Sequence, residues 1–357
     1  MPSIYGEKIH VSIFGQSHSA AIGVVIDGLP AGVKIDMAEL GRFMARRAPG
    51  QGKYATARKE ADLPEFVSGV VDDVTCGAPV CALIRNTDTR SGDYANLRDV
   101  PRPSHADYPA YVKFGAAHDI RGGGHFSGRL TAPLCIAGGI ALQMLRARGV
   151  NIGAHISSVG SVSDARFDPV NVGADDFARI AANGFPVLDA RSGDDMLAQI
   201  ECARADADSI GGTIECAAVG LPAGLGDALF GGLEGRMSMA LFGVPAVKGV
   251  EFGNGFDCAT LRGSQNNDPF VIENGKIKTL TNNAGGILGG ITTGMPLIFK
   301  VAIKPTPSIG KPQQSVSLSR MENSELVIKG RHDPCIVPRA VPVIEAAAAL
   351  ALLDVML

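Results

Sequence analysis

Val24-Val25-Ile26-Asp27-Gly28-Leu29-Pro30-Ala31-Gly32 and Ala217-Ala218-Val219-Gly220-Leu221-Pro222-Ala223-Gly224 share one pattern. Each apolar run reads as a strand and each Gly-Leu-Pro-Ala-Gly as a tight turn. A helical pattern follows in both places and carries a Gly-Arg step, Gly41-Arg42 in the first and Gly235-Arg236 in the second. A strand, a turn and a helix used twice point to a duplicated unit. The echo divides a single domain, 1–357, into repeat halves of about 1–150 and 210–357.

The first helix is the more informative. Asp36 followed by Glu39 reads as a capping box. Met37, Leu40 and Met44 then fall on one face, and Arg47 is next on that stripe with Arg46 beside it. Pro49 and Gly50 end the helix. From 42 to 59 the chain holds Arg42, Arg46, Arg47, Lys53, Arg58 and Lys59 and no acid. An inward basic cluster suits a small anionic ligand, whereas a solvated basic edge is the plainer alternative. A second helix is expected from Thr131 to Arg148, closed by Gly149. Before it stands Arg121-Gly122-Gly123-Gly124-His125-Phe126-Ser127-Gly128-Arg129, a glycine loop of the kind that offers bare N–H groups to phosphate at a helix start. Ala340–Leu357 reads as a buried helix, too short and too interrupted by Glu345 and Asp354 to span a bilayer. The stretch 160–208 gives no usable signal.

A net charge of −3 over 357 residues argues against a general nucleic-acid binder, and an apolar share of 46% can fill a core. Glu7 and Lys8 interrupt the apolar run that a signal peptide needs. Seven cysteines without a CxxC pair argue against a zinc ribbon or a disulfide framework, so the expected compartment is the cytoplasm. The histidines show no metal-ligand spacing, and no metal is expected. No Gly-x-Gly step has the third glycine of a dinucleotide fingerprint. Gly15-Gln16-Ser17-His18-Ser19 approaches a nucleophile elbow without its last glycine, which keeps a serine hydrolase on Ser17 as a rival reading.

Three separated segments together resemble the chorismate synthase family. They are Phe14–Ser19 continuing through Ile26–Pro30, Arg102–Tyr108 joined to Arg121–Thr131, and Gly330–Cys335 with Arg339–Glu345. Ala246–Glu251, Leu261–Asn266, Ala284–Ile291 and Lys304–Ser308 look like the same family in the same order. The resemblance implies an α+β fold, a β-α-β sandwich of two antiparallel sheets enclosed by helices, assembled as a homotetramer. It implies a lyase reaction, the 1,4-elimination of phosphate from 5-enolpyruvylshikimate 3-phosphate to give chorismate at the end of the shikimate pathway to aromatic amino acids. Reduced FMN is required without net redox change. No region is spare for a reductase, so reduced flavin comes from an external source, with NADPH as indirect reductant and FAD and NADP as related nucleotides.

Residue by residue, the resemblance makes His18 the proton donor beside the leaving phosphate and His105 the histidine serving the reduced flavin. Asp333 takes part in proton removal. Ser17, Arg47, Lys53, Ser127, Arg129 and Arg331 match substrate contacts. His125, Phe126, Ser127, Pro245, Ala246, Gly289, Lys304, Pro305, Thr306, Pro307, Ser308 and Arg331 match the cofactor side. The sequence departs from the family pattern at Gln16, Ser19, Lys53, Ser104 and the His125-Phe126 pair. If the family glycine at position 104 sits at positive φ, serine there costs roughly 1 kcal/mol. The departures keep a second rival open, a binding-only relative that holds a phosphorylated acid through the same arginines.

Overall fold

The computed structural model describes residues 3–50, 62–86, 97–328 and 333–357. The first half runs β1 (Ile4–Tyr5), β2 (His10–Gly15), β3 (Ala21–Asp27), α1 (Met37–Arg47), β4 (Glu65–Ser68), the hairpin β5 (Val70–Val71) and β6 (Val74–Thr75), β7 (Val80–Arg85), α2 (Asp107–Phe114) and α3 (Thr131–Arg146). The second runs β8 (Asn151–Val159), β9 (Val162–Ser163), α4 (Ala174–Ala181), α5 (Ala190–Ala205), β10 (Gly212–Val219), α6 (Leu233–Phe242), β11 (Val247–Phe252) and α7 (Gly263–Asn266). It continues through the hairpins β12 (Phe270–Glu273) with β13 (Lys276–Thr279) and β14 (Ile287–Leu288) with β15 (Ile291–Thr292), then β16 (Leu297–Ile303). The hairpin β17 (Gln313–Ser317) with β18 (Glu322–Leu326) leads to the final helix α8 (Val337–Met356).

Two five-stranded antiparallel sheets result, ordered β1-β2-β3-β7-β4 and β9-β8-β10-β16-β11. In the middle three positions and at the β4 and β11 edges, the strands follow one another in the same chain order. Even the irregularity repeats, since β4 and β11 each slip register beside the strand they pair with. The two turns are held by one device. Gly32 N donates to Thr75 O, Val33 N donates to Thr75 Oγ1, and Thr75 Oγ1 donates to Pro30 O, at 2.8, 2.9 and 2.6 Å. Gly224, Leu225, Thr292 and Pro222 repeat the arrangement at 2.9, 2.9 and 2.7 Å.

Helices α1, α3, α6 and α8 lie between the sheets. α3 packs on β3 and β7, α8 packs on β8 and β10, and the two helices pack on each other. The layer order is thus sheet, helices, sheet; α4 covers the outer face of the second sheet, setting Phe177 and Ile180 against Ala217 and Ile298, while α5 packs on β8 and β9 and joins the main core through Met196 and Ile200. Burial follows from this. β7 alternates buried and partly exposed residues, as a one-faced strand must, while β8 and β10 are buried almost throughout. α3 is long and apolar enough to cross a bilayer by composition, yet here it forms the core. Its Gly138 permits the close crossing, because a Cβ there would stand 2.2 Å from the Ala346 Cβ and 2.4 Å from its Cα.

α1 forms as the sequence predicts, with Asp36 accepting from Glu39 N at 2.8 Å. The reciprocal half of the capping box is absent, because Glu39 pairs with Arg146 and Asp36 N donates to Gln143 Oε1. Arg46 is not directed to a ligand. It forms a bidentate pair with buried Glu345 at 2.6 and 2.8 Å, and Glu345 also accepts from Ala154 N, tying α1, α8 and β8 together. The silent stretch 160–208 is anchored by His155, whose Nδ1 lies 3.0 Å from Asp164 Oδ2 and whose Nε2 lies 2.9 Å from Glu215 Oε2. Burial alone would lower this imidazole's pKa. The two carboxylates outweigh it and raise the pKa above the ordinary histidine range.

Candidate active site

A cavity of about 1030 Å³ opens where the two halves meet. From the first half come Arg47 and Pro49 at the end of α1, Arg102 to Ala106, and the loop from Gly122 into α3. From the second come Met239 to Lys248, Lys304 and Thr306 to Ser308, with Asp333, Ile336 and Arg339 completing the wall.

The glycine loop works by absence of side chains. Gly122, Gly123 and Gly124 all have positive φ, at 60°, 86° and 57°. A Cβ on Gly122 would stand 2.5 Å from Ser17 Oγ and 3.0 Å from His18 Nε2, and one on Gly123 would stand 3.2 Å from His105 Nε2. The bare loop therefore lets both imidazoles approach the same wall. The loop enters α3 through a single turn, Gly128–Leu130, with its three glycines at the histidines and Ser127 to Arg129 at the helix start. His18 reaches the wall behind Gly122, and its charge helps hold Asp119 below the usual carboxylate range, after the larger contribution of the Arg121 hydrogen bonds.

His105 is fixed by a buried carboxylate. Its Nδ1 lies 2.6 Å from Asp107 Oδ1, and Asp107 also accepts from Arg102 N, Nε and Nη2 at 3.0, 2.7 and 2.8 Å. Burial raises the Asp107 pKa, but these donors prevail and leave it far below the ordinary value. With Asp107 ionised, Nδ1 carries the hydrogen and donates, so Nε2 of the neutral ring is an acceptor beside Gly123. Burial lowers the His105 pKa, Asp107 opposes it, and Arg102 and Lys304 lower it further, so the net shift is downward. Ser104, on the same segment, has φ +57°, the left-handed conformation for which the family glycine is suited. Lys304 Nζ donates to its carbonyl at 2.8 Å.

Arg47 is buried and held on three sides, by Asp62, by Thr131 Oγ1 at 3.1 Å and by Gly128 O at 3.2 Å. Arg129 pairs with the other oxygen of Asp62. Asp333 Oδ2 accepts from Arg339 Nη1 at 2.5 Å, and Arg339 Nε donates to Arg47 O at 3.1 Å. Asp333 does not cap α8, whose start has no side-chain cap. Pro245, Ala246, Lys304, Thr306, Pro307 and Ser308 line the opposite wall, where Ala246 has φ +76° and accepts from Lys304 N at 3.0 Å. Burial, followed by Lys248, lowers the Lys304 pKa. His125 lines the cavity with both ring nitrogens engaged, 2.7 Å from Ser3 Oγ and 2.7 Å from Gly15 O, and Phe126 lies beside it. Ser127 Oγ accepts from Arg129 N. Three expected residues do not line the cavity: His18, which stands behind Gly122; Pro305; and Gly289 in the turn of the β14–β15 hairpin. Lys53 and Arg331 lie outside the described residues.

A family model described as chorismate synthase matches residues 9–357. The chain belongs to the chorismate synthase family. Among curated relatives, the chorismate synthase of Lancefieldella parvula is 47% identical over 99% of this chain and 96% of its own length. That of Thermococcus gammatolerans is 47% identical over 98% and 96%. A solved structure titled as a crystal structure of chorismate synthase superposes with a TM-score of 0.75 at 25% identity, covering 98% of this chain and 92% of that one. Membership makes the chain a lyase that eliminates phosphate from 5-enolpyruvylshikimate 3-phosphate to give chorismate, in a family that uses reduced flavin. Sequence reading gave no role to four groups that this chorismate synthase fold places at the site: Asp62, Arg102, Asp107 and Arg339. The last three stood inside quoted motifs, and the only signal was their charge beside a histidine or an aspartate.

Proposed function

We propose that the cavity binds the phosphorylated dicarboxylate against Arg47, Arg129 and Ser127, with its phosphate toward Ser17 and His18, while FMN takes the facing wall. The observation behind this reading is the convergence of His18 and His105 on one glycine loop, opposite a wall bearing Lys248 and Lys304. The residues fit a flavin. Met239, Phe242 and Leu134 give an apolar surface for a ring, the lysines suit a phosphate, and the volume exceeds that of a pocket for one small ligand. When bound, the reduced flavin supplies an electron-rich ring that assists loss of phosphate without net redox change.

The chain's own residues then have distinct tasks. His18, as imidazolium, neutralises the charge that builds on the departing phosphate oxygen. His105 keeps Nε2 at the wall through its Nδ1 bond to Asp107. Asp333, aligned by Arg339, offers a carboxylate oxygen for proton removal. Lys53 and Arg331 are assigned to the ligand by family pattern alone. We read the chain as one domain with repeat halves of about 1–150 and 210–357, supported by the matched turn bonds and by a matched strand order that takes in β8, ahead of residue 210. A homotetramer is supported by large exposed apolar side chains on the second half, including Phe230, Phe256, Phe270, Ile272 and Ile277. Seven free cysteines fit a reducing cytoplasm, and reduced flavin is drawn from an external source with NADPH as indirect reductant.

His18→Ala and Asp333→Ala test the assignment. Each is expected to lower chorismate formation by about 10²-fold or more while flavin binding persists. Turnover within about threefold of the parent chain in both variants would remove these residues from the reaction.

A further inference from the structure

Asp62 stands behind the two arginines assigned to substrate. Its side chain has no exposed surface, against 4% for Arg47 and 5% for Arg129. One oxygen takes Arg47 Nη1 and the other takes Arg129 Nη1, so each guanidinium has its own acceptor. Both arginines line the cavity, and Asp62 does not. The carboxylate is therefore not a stand-in for a ligand inside the cavity. Its position answers a different need. Two guanidiniums side by side in a poorly hydrated wall repel each other, and a carboxylate shared between them removes that repulsion and fixes both planes. Thr131 Oγ1 and Gly128 O take Nε and one hydrogen of Nη2, which fixes the orientation of Arg47 while its cavity side keeps further donors.

We propose that Asp62 is a positioning residue for the elimination: it holds Arg47 and Arg129 as an aligned pair of donors for an anionic group of the substrate. The inference rests on the reading that these arginines bind substrate. Its consequence is confined to binding, since Asp62 touches no reacting atom. Removal of the carboxylate lets the two forks turn apart, and the substrate then loses contacts that it makes equally in the ground and transition states. Such a loss raises KM and leaves kcat in place.

Steady-state kinetics with 5-enolpyruvylshikimate 3-phosphate test this in Asp62→Asn, Asp62→Glu and Arg129→Lys, with flavin affinity measured in each by fluorescence titration. Asp62→Asn is expected to raise KM about tenfold or more with kcat within about threefold and flavin affinity unchanged. Asp62→Glu, which restores the charge on a longer arm, should recover part of that loss. KM unchanged or lowered in Asp62→Asn, or kcat and flavin affinity falling together with KM, would overturn the proposal. If Asp62→Asn does not fold, Asp62→Glu decides: a raised KM supports the positioning role and an unchanged KM refutes it. Arg129→Lys separates the two levels. A normal KM there would count against the substrate site itself, whereas a raised KM there beside a normal Asp62→Asn would count against Asp62 alone.

Discussion

The two halves share a strand order and a threonine-clamped turn, yet they bring different chemistry to the cavity between them. In the first, α1 ends in Arg47, and the segments that follow deliver Arg102, His105 and the glycine loop. In the second, α6 ends in Met239 and Phe242, and the chain runs on through Gly243 to Val247 along the wall. The Gly-Arg steps that mark both helices do not share a role, for Arg42 is exposed and Arg236 pairs with Glu7 at 2.7 Å. The histidines diverge too. His105 in the first half is pushed down by burial, and His155 in the second is raised by two carboxylates that overcome burial. Strand order and turn are alike on both sides of the cavity, and local charge pairing decides what the side chains that converge there can do.

The sharpest break should come from the glycine loop. Gly122→Ala places a methyl carbon 2.5 Å from Ser17 Oγ at a φ of +60°, so Ser17 and His18 must move away from the wall. Turnover is expected to fall about 10²-fold with the circular dichroism spectrum preserved, because the misplacement is local. Full activity in this variant would show that the convergence of the two imidazoles is incidental.

The turns offer a test in which the halves should behave alike. Thr75→Val and Thr292→Val each remove a hydroxyl that donates to a proline carbonyl and accepts from a backbone N–H. Each should cost about 2 kcal/mol in denaturant unfolding, from leaving buried polar groups unpaired. A large cost in one half and none in the other would limit the likeness to geometry.

The smallest effects are those of pH. The folded His155 pKa is raised, so its stabilisation is complete below the unfolded value of 6.5 and is lost as pH rises through the folded value. The folded His105 pKa is lowered, so stability is lost as pH falls below 6.5, where the unfolded chain takes up a proton that the folded chain refuses. In an NMR titration the His155 signal should titrate above 6.5 and the His105 signal below it. Asp107→Asn should move His105 further down, because Asp107 supports the charged ring. Identical midpoints for the two histidines would contradict the charge assignments.

Local features were legible in the sequence. Asp36 as the α1 cap, the arginine at the inner end of that helix, the buried final helix and the glycine loop all depend on neighbours within a turn or two. What escaped was long-range pairing. Arg46 looked like a ligand group because Glu345, its partner, is far along the chain in α8. The stretch 160–208 gave no signal because its anchor is His155 meeting Glu215 across two strands. Asp62 was missed for the same reason, since its meaning depends on Arg47 and Arg129 arriving together from α1 and the glycine loop. Family resemblance supplied His18, His105 and Asp333, and the fold supplied the groups that hold the last two in place.

The most direct measurement is anaerobic turnover of the purified chain with photoreduced FMN and 5-enolpyruvylshikimate 3-phosphate, following chorismate absorbance and released phosphate in one sample. Chorismate and phosphate formed in equal amounts, many times over per flavin, are the predicted result. Binding of both ligands without release of either product would contradict the account and leave a protein that holds the phosphorylated acid without transforming it.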